Sequence, residues 1–236
     1  MIQGYARPPA GVHPRLDSPA YRSTALRAPH QPPLRIPPTP TEVTGPVFGP
    51  ERIGALDHDL TRQHDAEPVG QRIIVTGRVL DADGRPIPDT LIEIWQANAS
   101  GRYRHPGDGW PGTLDPNFTG AGRVLTDGDG AYHYVTIRPG AYPWRNHHNA
   151  WRPAHIHLSL FGRSFSQRLV TQMYFPDDPL FFQDPILGSI PDPEARQRLV
   201  SRYDHDVTAP EWALGFRFDI VLRGPDATPF EASPGA

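Results

Sequence analysis

Short runs of strand-forming residues, separated by turn sequences, recur from residue 71 almost to the end of the chain. The first run covers 72–80 and is followed by the turn cluster 81–86, which is rich in Asp, Gly and Pro. Short strands that alternate with turn chemistry are typical of an antiparallel β-sandwich. The sequence therefore predicts an all-β protein with long loops, whose strands are 72–80, 90–96, 122–126, 131–137, 155–161, 168–175 and 215–222.

One segment has the pattern of a helix instead of a strand. Asp192 can cap a helix N-terminus, Pro193 suits the first helical position, and Glu194 lies in the first turn. Leu199 and Tyr203 are spaced to contact each other on one helix face. We predict one or two short helices, one of which begins near residue 193.

Residues 1–68 form a separate, Pro-rich region. Twelve prolines fall within the first fifty positions, and the stretch shows little hydrophobic periodicity. Unlike a typical disordered tail, it carries apolar side chains that could pack against a core or a partner chain. We predict an extended N-terminal arm over 1–68 and a β-sandwich domain over 69–236. The apolar residues of the arm are Tyr21, Leu34, Ile36, Val43, Val47 and Phe48.

Composition excludes several classes of function. The formal net charge is −3 and the pI is near 6.4, so we expect no general attraction to nucleic acid or to an anionic membrane. The absence of cysteine excludes disulfides, iron–sulfur clusters and thiolate zinc sites. No apolar run approaches the roughly 18 residues of a membrane span, and the first residues lack a signal-peptide pattern. We therefore expect a cytoplasmic protein.

Two histidines and two tyrosines are the candidates for a metal site. His155 and His157 lie two apart in a predicted strand, so both imidazoles project from the same face. Taken alone, such a pair is more often two surface or hydrogen-bonded histidines than a metal site. Tyr142 lies in the segment before this strand, and Tyr103 follows the strand that ends at residue 96. This context favours a metal site.

The type of donor indicates which metal the site would hold. A phenolate is a hard, anionic donor that suits Fe(III), and two phenolates plus one hydroxide would cancel its three charges in a poorly solvated pocket. An Fe(II) site of two histidines and one carboxylate would need Asp or Glu at comparable positions. However, Asp127 and Asp129 belong to a predicted turn, and Glu93 belongs to a strand. The residues therefore favour a ferric site.

Five stretches of the chain resemble the intradiol ring-cleavage dioxygenases, and within that family the beta chains of its protocatechuate branch. They are 92–105, 114–118, 139–146, 151–157 and 218–224. The similarity runs from about residue 16 to residue 230, which is nearly the whole chain. The stretch 105–113 departs from the family pattern, which leaves the width of the pocket open.

The resemblance implies a role for each candidate residue. Arg152 would lie beside the substrate ring and stabilise its carbanion-like form, with Gln172 as a second catalytic residue close by. Tyr142 would leave the metal when substrate binds and act as a base. The ligands of the ferric ion would be Tyr103, Tyr142, His155 and His157. The residues around the substrate would be Trp95, Trp144, Ile186 and, near its carboxylate, Tyr21.

Some of these residues also have a structural interpretation. Trp95 and Ile186 could simply belong to the core, and Arg152 could be a surface residue before a proline. Little sequence around Tyr21 supports its match to the family. The surroundings of Arg152, which stands shortly before His155, favour the functional interpretation for that residue.

The resemblance also implies an activity. It is intradiol cleavage of protocatechuate (3,4-dihydroxybenzoate) by O2 at a non-haem Fe(III) centre, giving 3-carboxy-cis,cis-muconate in the β-ketoadipate pathway of aromatic catabolism. A related alpha chain would complete the pocket in an αβ hetero-oligomer. Catechol and hydroxyquinol 1,2-dioxygenases share the iron chemistry, but they carry a helical N-terminal dimerisation region where this chain has its Pro-rich arm. They are the nearest alternative, and a non-catalytic β-sandwich binding module is the alternative from another class.

Overall fold

The computed structural model describes residues 9–29, 31, 49–145, 150–163 and 167–231. Most of the regular structure in these ranges is β-strand, with a few helices of four or five residues. The strands are β1 (Arg72–Leu80), β2 (Leu91–Gln96), β3 (Ala121–Leu125), β4 (Ala131–Ile137), β5 (Tyr142–Trp144), β6 (Ala150–Arg152), β7 (His155–Phe161), β8 (Arg168–Tyr174), β9 (Arg202–Tyr203), β10 (Leu214–Arg217) and β11 (Ile220–Val221). The α-helices are α1 (Thr24–Arg27), α2 (Pro185–Gly188) and α3 (Pro193–Gln197), and Pro50–Arg52 and Phe181–Gln183 form 3-10 turns.

Two sheets make up the predicted sandwich. One has the antiparallel order β3-β2-β7-β8, and in the other β1 lies between β4 on one edge and β10 with β11 on the other. β1 pairs with β4 in antiparallel fashion but with β10 and β11 in parallel. The prediction of an antiparallel β-sandwich is confirmed, except that β10 and β11 pair with β1 in parallel. β10 and β11 follow β1 only after a long excursion through the other sheet, which leaves the chain free to return in either direction.

The strand boundaries follow the predicted ones closely. β1, β4 and β7 have the predicted bounds, β2 and β8 differ from theirs by one residue at one end, and β3 is shifted by one residue toward the N-terminus. The predicted strand 215–222 is instead divided into β10 and β11. Between them the Phe218 N–H donates to Thr76 O at 2.8 Å, and the Arg78 N–H donates to Asp219 Oδ1 at 3.0 Å. The Asp219 side chain thus takes the place of a backbone acceptor, which interrupts the ladder.

The predicted helix exists but is shorter than expected. Asp192 caps α3 by accepting a hydrogen bond from the Glu194 N–H at 2.9 Å. The helix ends at Gln197, so the predicted contact of Leu199 with Tyr203 on one helix face is wrong. The Tyr174 N–H donates to Leu199 O at 2.8 Å, and this bond draws the chain after the helix into an extended conformation.

The core lies between the sheets and is built by alternation of side chains. In β1 the inward residues Ile73, Val75 and Val79 are fully buried. β7 is buried on both faces, because Ile156 and its alternate neighbours enter the core while the opposite face, which carries both histidines, is covered by loops. The core therefore fixes the register that places His155 and His157 side by side.

The N-terminal region packs against the sandwich where the structure describes it. Tyr21 and Leu60 are fully buried, and Leu60 belongs to the main core. The division into an arm over 1–68 and a domain over 69–236 stays a prediction, and the other apolar residues of the arm, Leu34, Ile36, Val43, Val47 and Phe48, lie outside the described residues.

No helix within the described ranges is long and apolar enough to cross a membrane. The cytoplasmic location stays a prediction from the sequence.

Two buried tyrosines of β4 allow a matched test of the core. Tyr132 Oη donates to Phe218 O at 2.6 Å, whereas Tyr134 Oη is buried with no hydrogen-bond partner among the described residues. We expect Tyr134→Phe to raise the free energy of unfolding by about 1 kcal/mol, and Tyr132→Phe to lower it by about 1–2 kcal/mol. Urea denaturation measures both. An equal loss in the two variants would contradict the assignment.

Candidate metal centre and substrate pocket

The four predicted ligand residues meet in one place. Tyr142 Oη lies 3.3 Å from His155 Nε2, and Tyr103 Oη lies 3.2 Å from His157 Nε2. The two imidazole rings are 4.9 Å apart between centroids, and the two phenol rings are 5.6 Å apart. Donor atoms that each lie about 2 Å from one ion, at right angles, are about 3 Å from each other. The arrangement therefore has the dimensions of a metal centre.

The local backbone explains why the two tyrosines meet. Gly101 has φ +76° and passes so close to Ala141 that a Cβ would collide with its carbonyl oxygen. Asn98 O accepts hydrogen bonds from the N–H groups of both Gly101 and Gly140, at 3.0 and 2.9 Å. These contacts hold the loop that carries Tyr103 against the start of the β5–β6 hairpin, which carries Tyr142.

Hydrogen bonds set the tautomer of both histidines. His155 Nδ1 lies 2.6 Å from Pro153 O, and His157 Nδ1 lies 2.9 Å from Glu231 Oε2. Because a carbonyl and a carboxylate only accept, each Nδ1 carries the proton, and each Nε2 of a neutral ring presents its lone pair to a tyrosine oxygen. Burial, with the nearby Arg152 and His157, lowers the pKa of His155 well below its usual value. His155 is thus a neutral donor.

The phenol groups are deeply desolvated. Burial raises the pKa of Tyr103 well above its usual value and also raises the pKa of Tyr142. A cation at the meeting point of the four donors would reverse this effect, because it favours the ionised phenol. In the described ranges no group of three or more His, Cys, Asp and Glu side chains is arranged to hold a metal.

Arg152 lies in a buried polar network beside this centre. Its Nε donates to Asp184 Oδ2 at 3.2 Å, and its Nη2 donates to Gln172 Oε1 and to Tyr174 Oη. The Arg152 side chain is 3% exposed and that of Asp184 is 0% exposed. Arg152 is therefore a buried, paired cation. The alternative interpretation of its sequence position, a surface arginine before a proline, is wrong.

A cavity of about 730 Å³ opens onto the centre. Trp95 lines it and stacks on His157, with ring centroids 4.8 Å apart, while Trp144 and Ile186 form other parts of the wall. Tyr21 does not line the cavity, but its ring packs 4.8 Å from that of Trp144. The predicted residues that line it are Trp95, Tyr103, Tyr142, Trp144, Arg152, His157 and Ile186, and His155 and Gln172 lie behind this surface.

The divergent stretch 105–113 forms one wall of the cavity. His105, Gly107 and Asp108 all line it. Asp108 also folds the stretch back on itself, because its carboxylate accepts hydrogen bonds from the N–H groups of Tyr103 and Trp110 at 2.7 and 2.8 Å. The stretch that we predicted to depart from the family pattern thus contributes directly to the wall of the pocket.

Sequence reasoning missed three residues of the site. Glu231 holds His157 from 74 positions away, and no local pattern marks it. Asp184 and Tyr174 hold Arg152. Asp184 did carry a signal, since an Asp before a Pro marks a helix N-terminus, and it caps α2 in this way. That signal predicts a cap and says nothing about Arg152.

A β-sandwich that brings two tyrosines, two histidines and a buried arginine to one pocket has the features of an intradiol ring-cleavage dioxygenase. The model of the Dioxygenase family matches residues 43–224, and the model described as the N-terminal part of the protocatechuate 3,4-dioxygenase beta subunit matches residues 5–39. The chain therefore belongs to the intradiol dioxygenase family. Membership in this family implies a non-haem iron centre.

Individual relatives agree with this membership. The protocatechuate 3,4-dioxygenase beta chain of Burkholderia cepacia is 55% identical over 93% of this chain and 94% of its own length. The alpha chain from the same organism is 29% identical over 81% of this chain and 95% of its own. The structure of 3-chlorocatechol 1,2-dioxygenase from Rhodococcus opacus 1CP matches with a TM-score of 0.54 and 23% identity, covering 78% of this chain and 72% of that one. This last likeness supports the fold.

Proposed function

We propose that this chain is the iron-binding chain of an enzyme that cleaves protocatechuate with O2 to 3-carboxy-cis,cis-muconate. The observation that carries the proposal is the convergence of the Tyr103 and Tyr142 oxygens on the Nε2 atoms of His157 and His155. The similarity to a protocatechuate 3,4-dioxygenase beta chain over 93% of the chain, together with the match at residues 5–39, favours the protocatechuate branch.

Tyr103, Tyr142, His155 and His157 would hold Fe(III). Two tyrosinates cancel two of its three charges, which suits a pocket where uncompensated charge is costly. The two imidazoles would add nitrogen donors at Nε2, because Pro153 O and Glu231 already hold the proton on each Nδ1. When bound, Fe(III) withdraws electron density from a catecholate and makes its ring reactive toward O2.

Tyr142 has a second role in this proposal, as a base. A catechol must lose its hydroxyl protons to bind as a dianion, and Tyr142 would accept one of them and hold it at Oη. Tyr142 lies in the short β5–β6 hairpin and is partly exposed to the cavity. Tyr103 is also partly exposed and lines the same cavity. The resemblance to the family, which gives this role to Tyr142, favours Tyr142 as the residue that takes the proton.

Arg152 would place positive charge beside the ring as electron density builds up on it. Preorganised charge in a desolvated site stabilises such a species far more than in water. Gln172 is in contact with Arg152 and would act with it. Trp95, Trp144 and Ile186 would enclose the ring and exclude water, and Tyr21 of the arm would support Trp144 from behind. The arm over 1–68 would thus serve the catalytic domain over 69–236.

A related alpha chain would complete the enzyme. The alpha chain of Burkholderia cepacia is itself similar to 81% of this chain, over 95% of its own length, so the two partners would share one fold. Related chains can pair about a pseudo-twofold axis through equivalent surfaces. We propose an αβ hetero-oligomer in which the alpha chain contributes to the pocket beyond the residues of this chain.

Turnover assays on protocatechuate, catechol and hydroxyquinol, with and without a co-expressed alpha chain, test the proposal. We expect protocatechuate to be cleaved fastest, and to be cleaved most efficiently when the alpha chain is present. A preference for catechol or hydroxyquinol would favour the alternative dioxygenase activities. An iron-loaded, folded αβ protein that cleaves none of the three would favour a binding module.

A further inference from the structure

Arg152 is held along one edge of its guanidinium group. Nε donates to Asp184 Oδ2, and Nη2 donates to Gln172 Oε1 and Tyr174 Oη, whereas Nη1 takes no part in these bonds. Tyr174 Oη lies 2.9 Å from Asp184 Oδ2 and 2.8 Å from Gln172 Oε1, so the acceptors are themselves linked. Since Arg152 lines the cavity, this edge-on support leaves Nη1 as the nitrogen that remains to meet a substrate.

Asp184 also belongs to a wall of the pocket. Its second oxygen, Oδ1, accepts a hydrogen bond from the Ile186 N–H at 2.9 Å and so caps α2. Ile186 lines the cavity two residues later. The buried carboxylate of Asp184 therefore fixes both the Arg152 guanidinium and the apolar residue Ile186, which lines the same cavity.

We propose that Asp184, supported by Tyr174, is a positioning residue that holds the Arg152 guanidinium in its productive orientation toward the substrate ring. The inference rests on the function proposed above for Arg152. An arginine has several rotatable bonds, and a single charge in a cavity of this size would otherwise sample many orientations. The hydrogen bonds that hold one edge of the planar guanidinium remove that freedom.

The electrostatics of the pair agree with this role. Burial alone would lower the pKa of Arg152, but Asp184 and the neighbouring tyrosines outweigh it and raise the pKa well above its usual value. Arg152 therefore stays charged. Replacing Asp184 by Asn would leave this buried cation without its counter-charge and would turn an amide N–H group, or a neutral oxygen, toward Arg152 Nε.

The chain contains a matched control for this replacement. Asp192 also precedes a proline and caps a short helix through its Oδ1, at the same 2.9 Å, but its carboxylate faces Arg198 near the surface. Asn can act as an N-cap nearly as well as Asp. Asp184→Asn and Asp192→Asn therefore make the same change at two caps, and only the first touches Arg152.

The experiment uses the iron-loaded αβ enzyme and compares these two variants with wild type. We expect Asp184→Asn to lower kcat for protocatechuate on the order of 10–100-fold, with a smaller change in KM, because the misplaced charge acts after substrate has bound. Asp192→Asn should stay near wild type in both. Tyr174→Phe keeps the ring and removes the hydroxyl that links Asp184 to Gln172, and it should lower kcat by about 3–10-fold. This second variant tests the same role if Asp184→Asn folds poorly.

A double-variant cycle with Arg152→Gln separates positioning from general structural support. If Asp184 acts through Arg152, adding Asp184→Asn to Arg152→Gln should lower kcat by less than about threefold. Thermal unfolding of the same variants provides a second measurement that does not depend on activity. Asp184→Asn alone should lower Tm by roughly 10 °C, and the double variant should recover part of this loss because no unpaired charge remains buried.

The outcomes distinguish the inference from the function on which it rests. An active wild type whose Asp184→Asn variant keeps the kcat of Asp192→Asn would overturn the positioning role alone. So would an Asp184→Asn loss that persists undiminished in the Arg152→Gln background. A well-folded, iron-loaded wild type that cleaves no catechol-type substrate would overturn the proposed function, and the inference with it.

Discussion

Replacing Arg152 with Gln is expected to lower kcat for protocatechuate by about 10²–10³-fold, the usual cost of removing one preorganised charge that stabilises a developing anion. Gln keeps much of the side-chain length and can still donate to Asp184, so the loss reflects the missing positive charge. KM should change less than kcat, because the charge is needed most after binding. Steady-state kinetics with the iron content of each preparation measured in parallel provide the values.

Arg168→Gln serves as the control for this variant. Arg168 lies on β8 like Gln172, but its guanidinium is hydrogen-bonded to Leu160 O and Leu169 O, away from the cavity. Its kcat should equal that of wild type. An Arg152→Gln enzyme with the same kcat as Arg168→Gln would show that the buried guanidinium has no part in the chemistry, and that its network serves stability alone.

His157→Ala is expected to remove iron from the protein. Loss of a residue that orients a ligand costs about 10–100-fold in metal affinity, so loss of the ligand itself should cost more. Glu231→Gln, which weakens the hydrogen bond that orients His157 but leaves the ligand in place, should fall in the intermediate range of about 10–100-fold. Iron analysis after dialysis against a graded series of chelator concentrations ranks the variants.

His64→Ala is the matched control for this series. His64 contacts Thr119 Oγ1 at 2.8 Å on the surface, and no described contact joins it to the four-residue centre. It should retain iron like wild type. If His157→Ala also retained iron like wild type, His157 could not be a ligand, and the donor set proposed here would be wrong.

The sequence predicted the features that depend on local periodicity. Alternation along β7 places His155 and His157 on one face and Ile156 on the other, and the structure has that arrangement. The same alternation gave most strand boundaries to within one residue. These features follow from the pleat of a strand, because the alternation of side chains is visible in a run of five or six residues.

Features that depend on contacts between distant segments could not be predicted in this way. The β5–β6 hairpin contains Pro143, a residue that predicts a loop. A short two-stranded hairpin tolerates this proline because it needs few backbone hydrogen bonds between its strands. The parallel return of β10 beside β1 is set by the path of the chain through the other sheet. Glu231 reaches His157 because residues 224–231 fold back along the sandwich, and no short pattern encodes that path.

The resemblance to a family supplied what periodicity could not. It singled out Tyr103 and Tyr142 among the tyrosines of the chain, and the structure brings both to the paired imidazoles. It was less informative about supporting residues. Asp184, Tyr174 and Glu231 hold the functional groups in place, and they were found only from their contacts.

The visible absorption spectrum of the purified protein, read together with its iron content, tests the central claim most directly. Two tyrosinates on Fe(III) should give a burgundy protein with broad charge-transfer absorption and about one iron per chain. Tyr103→Phe should change the band while the protein stays folded. A well-folded protein that is colourless and free of iron, and that binds none when ferrous or ferric salt is supplied, would contradict the claim that these four side chains converge on one ion.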